Sequence, residues 1–179
     1  MVTGNPAPEA GMESKPGFRR FRTPAGLMRP MGQRRLTAGE RAIAEAVFGA
    51  GLDTARVRLL AVPIWPRAFV AGPRLMIWPA AQAWADFAAA PLFAQGTFVH
   101  ELTHVWQAQR GIFLPLAKLK AGDSAAAYAY DAASLSDFAM LNIEQQAMVV
   151  EHAFLAGHGA TTPFAAETYA EIAAAWRRA

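Results

Sequence analysis

His100 and His104 stand four positions apart, and Glu101 directly follows the first of them, within Phe98-Val-His-Glu-Leu-Thr-His-Val-Trp-Gln107. On a helix, positions four apart lie one above the other on one face, so the two imidazoles can hold one metal ion between them. Glu101 lies about 100° around the helix from His100, where its carboxylate can reach a water on that ion. Two neutral imidazoles and a carboxylate base at this spacing meet the needs of zinc-assisted hydrolysis. The chain has only four histidines, which leaves little room for the spacing to arise by chance. A charged Glu101 inside a mostly apolar helix also needs a partner, and water on a metal supplies one.

A catalytic zinc usually takes three protein ligands and keeps one position open. The chain has no cysteine, so the third ligand must be a histidine or a carboxylate. Beyond His104 the candidates include Glu144, Glu151, His152 and His158. Glu144 and Glu151 share one helix face with Met148 and Leu155, which marks that face as buried. A buried carboxylate must be paired or metal-bound, and Glu144 is the reading preferred here. Glu151 is placed to orient a ligand histidine. His152 points about 80° away from Glu144 on the helix wheel, and His158 sits in a glycine-flanked loop.

The elements that must position these groups can be read in part. The motif helix is expected to start near Pro91 and to stop at Gly111. Leu36–Phe48 reads as the first helix, with Thr37 and Glu40 forming a capping box. Arg56–Pro63 and Arg74–Pro79 have strand character, and Pro79 suits an edge position for the second. Residues 81–90 read as a short helix or a loop, and 112–120, interrupted by Pro115, supports no assignment. Residues 125–131 suggest a further strand with Tyr128 and Tyr130 on one side. Leu141–Leu155 is a strong helix ended by Gly157 and Gly159, and 163–178 a final helix. The expected class is α+β, mostly helical, with a small sheet.

The chain has 179 residues, 54% hydrophobic and 17% charged, which suits one domain with a real core. Residues 1–35 hold Lys15, Arg19, Arg20, Arg22, Arg29, Arg34 and Arg35 against Glu9 and Glu13, with many Pro and Gly. They read as a flexible arm, with a single domain over 36–179. The alternation Phe18-Arg-Arg-Phe-Arg22 is a weak pattern for nucleic acid. The net charge of +3 comes mostly from the arm, so nucleic acid is not an expected partner of the domain. No apolar run is long enough to span a membrane, and no secretory signal is visible. The expected location is cytoplasmic, or exported by a route without a classical signal peptide.

His100-Glu-Leu-Thr-His-Val-Trp-Gln107, followed some forty residues later by Ile143-Glu-Gln-Gln-Ala147, resembles the gluzincin branch of the zincin metallopeptidases. With Leu36-Thr-Ala-Gly-Glu40, these segments also resemble small bacterial proteins of the Vgr-related type. The resemblance covers roughly residues 36–157. It implies a minimal zincin-like domain, with zinc on His100, His104 and Glu144 and with Glu101 as general base. It implies a peptide or protein substrate aligned along a strand edge, expected at Arg74–Trp78. Gluzincins carry an acid four residues after the third ligand, to hold the first histidine. Met148 stands there instead, so Glu151 or a residue elsewhere must substitute. That departure keeps a second reading open: a catalytically weak or inactive metal-stabilised scaffold or binding protein, associated with a bacterial secretion-system protein.

Overall fold

Thr37 opens helix α1 (Ala38–Phe48) through the expected capping box. Its hydroxyl accepts from Glu40 N at 3.1 Å, and the Glu40 carboxylate accepts from Thr37 N at 2.9 Å. In the computed structural model, which describes residues 26–122 and 124–177, that carboxylate is completely buried and does more than cap. Arg34 donates to it twice at 2.6 Å, and Phe87 N donates at 2.9 Å. Glu40 therefore ties strand β1 (Gln33–Arg35) and α1 to the 3-10 turn Phe87–Ala89 that leads into the motif helix. A buried charge is tolerable here because a guanidinium fork and backbone amides saturate it.

The remaining strands are β2 (Arg58–Val62), β3 (Phe69–Val70) and β4 (Leu75–Pro79), in the order β1-β2-β4-β3. β2 and β4 run parallel, and the two outer pairings are antiparallel. Alternate residues Leu59 and Ala61 of β2, and Met76 and Trp78 of β4, are buried and face the helices. The edge expected at Arg74–Trp78 is thus an interior strand, and the two-residue β3 occupies that edge. Pro79 fits an interior strand because it is the last residue of β4. Ala80 N resumes the pairing, donating to Val62 O at 2.9 Å.

The motif helix α2 (Leu92–Gln109) begins after Pro91 and is buried without a break from Phe98 to Gln107. It packs on α6 (Ile143–Gly157), which Asn142 caps by accepting from Glu144 N and Gln145 N. Gly96 permits that approach: a Cβ there would stand 2.9 Å from Leu155 Cδ2. Between the two helices come α3 (Leu114–Ala121), α4 (Ala125–Tyr128) and α5 (Ala132–Leu135). Pro115 is accommodated in the first turn of α3, where a missing N–H costs nothing. The strand expected over 125–131 is instead the turn of helix α4. Its alanine run favours helix, and Asp131 caps the next one through Ser134. The final segment breaks into α7 (Ala166–Ile172) and α8 (Ala174–Arg177).

The folded unit begins before the expected boundary at residue 36. Met28 is buried, its N–H donates to Ala83 O at 2.7 Å, and β1 joins the sheet. The aromatic-basic run Phe18–Arg22 lies outside the described residues. Among the described residues, no helix is long and apolar enough to cross a membrane.

Candidate metal centre

His100 and His104 project from the buried middle of α2 toward α6, where Glu144 occupies the first turn. Nε2 of His104 lies 3.1 Å from Glu144 Oε2, and Nε2 of His100 lies 3.4 Å from the same oxygen. One ligand atom from each of the three residues falls within 4.8 Å of the others. The structure therefore brings together the residues the sequence singled out.

Which ring atoms face inward is decided by the partners behind them. Gln107 Nε2 donates to Ile143 O at 3.0 Å and to Gln146 Oε1 at 2.9 Å, which fixes its amide. Gln107 Oε1 must then accept, and it does so from His104 Nδ1 at 2.8 Å. Glu151 Oε2 likewise accepts from His100 Nδ1 at 3.1 Å. Glu151 thus fills the orienting role left open by Met148. With both Nδ1 atoms donating, each ring in its neutral form turns a bare Nε2 lone pair onto a carboxylate oxygen. Three acceptors converging in a buried space repel unless a proton or a metal ion sits among them. The donor set, borderline nitrogen with a hard carboxylate and an open side to the cleft, suits zinc.

The electrostatics show the same demand for positive charge. Burial alone would lower the His100 pKa, yet hydrogen bonds to Glu144 and Glu151 raise it to about 9. Burial works against ionisation of Glu144, but the two histidines and Lys118 together hold it well below the usual carboxylate range. Lys118, from α3, reaches Glu144 Oε1 at 3.0 Å and leaves Oε2 to the histidines. Sequence reasoning missed Lys118, because nothing local marks one lysine of a short helix with exposed leucines as facing a site. Glu101, 6% exposed, has its Oε2 buried without a hydrogen-bond partner among the described residues.

His100, Glu101 and Glu144 line an open cleft of about 940 Å³. Trp65, Phe69 and Phe93 contribute apolar wall, and Phe69 belongs to the edge strand β3. His152 also lines the cleft but stands outside the ligand group. His158 ends α6 and donates to Phe154 O at 2.8 Å, which removes it from the site.

No protein-family model matches the chain. The chain is 34% identical over 134 residues to the type VI secretion system spike protein VgrG2b of Pseudomonas aeruginosa. That alignment takes in 68% of this chain but 13% of the spike protein, so the chain spans a small part of that relative. Among solved structures, the effector domain of Pseudomonas aeruginosa VgrG2b is similar with a TM-score of 0.60 and 30% identity. The match covers 86% of this chain and 88% of that domain.

Proposed function

This chain belongs to the family of the VgrG2b effector domain, and we propose that it is a secretion-associated, zinc-dependent hydrolase of peptide bonds. His100, His104 and Glu144 would hold the ion, which when bound supplies Lewis-acid chemistry for a water and for the scissile carbonyl. Glu101 takes the proton from the attacking water and returns it to the leaving amine. The observation that carries the reading is the state of Glu101: its Oε2 is buried in the cleft wall without a partner among the described residues. A carboxylate oxygen kept so beside three convergent ligands is disfavoured in a purely structural site. Gln107 and Glu151 hold the histidine rings in one tautomer, so their inward nitrogens stay available. The short edge β3 offers backbone for an extended peptide, and Trp65 and Phe93 favour an apolar side chain beside the bond cut. A quenched-fluorescent peptide library tests this directly. Zinc-loaded protein should cleave, and Glu101→Gln should keep its zinc and lose at least about a hundredfold in kcat.

Kinship with a spike protein and the presence of Met148 support a second reading, a metal-stabilised binding domain of a secretion apparatus without turnover. Stoichiometric zinc with no cleavage of the library would favour it. Either reading supports delivery by a secretion apparatus over residence in the cytoplasm.

A further inference from the structure

His152 follows Glu151 on α6 and lines the cleft with His100 and Glu101. Its Nδ1 lies 2.5 Å from Tyr130 Oη, which in turn lies 2.8 Å from Tyr169 Oη. Tyr169 is buried, and Tyr130 is the hydrogen-bond partner of its hydroxyl among the described residues. If His152 donated from Nδ1, one hydrogen would be left over: Tyr130 would either donate to Tyr169 and leave the Tyr169 hydrogen without an acceptor, or accept twice and leave its own hydrogen unmade. A buried donor left unmade costs more than an oxygen with a spare lone pair. In the opposite direction every hydrogen is used: Tyr169 donates to Tyr130, and Tyr130 donates to Nδ1. Burial, with the Tyr169 hydrogen bond, raises the Tyr130 pKa and keeps its phenol a donor. Burial also lowers the His152 pKa and favours the neutral ring. A neutral imidazole that accepts at Nδ1 carries its hydrogen on Nε2.

Two donors beside His152 are already engaged. Lys118 is bound to Glu144 Oε1, and the Tyr130 hydroxyl is spent on His152. Nε2 of His152 makes no hydrogen bond to another described residue. Hydrolysis of an amide builds negative charge on the carbonyl oxygen, and a donor already aimed there is worth more than one that must reorganise. We infer that His152 donates from Nε2 to the scissile carbonyl oxygen as it gains charge, and that Tyr130, backed by Tyr169, is the positioning residue that fixes this tautomer. The inference rests on the hydrolase reading; the hydrogen stays on Nε2 throughout.

Two measurements test it. Long-range proton–nitrogen NMR spectra of ¹⁵N-labelled, zinc-loaded protein report the tautomer of each histidine without reference to activity. His152, assigned by loss of its signals in His152→Gln, should be the Nε2–H form, and Tyr130→Phe should populate the Nδ1–H form. A wild-type ring protonated on Nδ1 overturns the inference. In the second measurement, kcat and KM are followed on the library peptide that the wild type cleaves best. His152→Ala should lower kcat by about 10²–10³ with KM within about threefold and zinc content unchanged. Tyr130→Phe should lower kcat by about tenfold. An unchanged kcat in His152→Ala overturns the role of His152 while the Glu101 chemistry stands. A zinc-loaded wild type that cleaves nothing overturns the hydrolase reading and this role together.

Discussion

Gln107 turns its carbonyl toward His104 because its amide nitrogen is committed to Ile143 and Gln146. The consequence is a set of ligand atoms that attract a cation, and protons compete for that place. His100 has its pKa raised from 6.5 to about 9 by Glu144 and Glu151, against burial. A folded-state pKa above the unfolded one contributes stability present below about pH 6.5 and lost as pH rises through about 9. Glu144 acts oppositely: its lowered pKa contributes stability present above the carboxylate range and lost in strong acid. The metal-free protein should therefore lose roughly 5 °C in melting temperature on going from pH 6.5 to 9.5, as read by circular dichroism. Zinc must displace the same proton, so chelator competition should show affinity rising about tenfold per pH unit up to about pH 9. Glu151→Ala, which frees the His100 ring, should weaken zinc about 10- to 100-fold in the same assay. The histidine spacing was readable because it is local to one helix turn. Lys118 and the Gln107–Gln146 pair were not, because they depend on which faces of α2, α3 and α6 meet.

At the scale of elements, α2 can carry two buried histidines only because its neighbours are fixed at both ends. Glu40 fixes the approach to α2 by accepting from Arg34, Thr37 N and Phe87 N. Glu40→Ala removes the counter-charge of the Arg34 guanidinium and leaves two amides unmatched, and should cost about 3–5 kcal/mol in a urea titration. Gly96 sets the spacing of α2 from α6, since a Cβ there would press Leu155 at 2.9 Å. Gly96→Val should cost about 1–3 kcal/mol and loosen zinc binding, because Glu144 rides on the displaced helix. The capped helices were legible in Thr37 and in the apolar run after Leu141. The short α4 was not: four residues carry too little periodicity to separate a helix turn from a strand. The order of the sheet was also out of reach, since pairing β2 with β4 across β3 is a long-range contact that no local pattern announces.

At the scale of the whole molecule, α2 packs against α6 on one side and against the small mixed sheet on another, and the site where α2 meets α6 opens into a cleft. Resemblance in three short segments carried the kinship with Vgr-related proteins. It did not carry the strand that borders the cleft, which is β3 rather than β4. It also could not say that Met28 joins the core and Gln33–Arg35 the sheet. The central claim is that α2 and α6 meet to make a metal centre. The most direct test is elemental analysis of zinc per chain on the purified native protein and on Glu144→Ala, both after reconstitution and dialysis. That claim predicts one zinc per native chain and none retained by the variant. A native protein that holds no metal, or a variant that holds it as tightly, would contradict it.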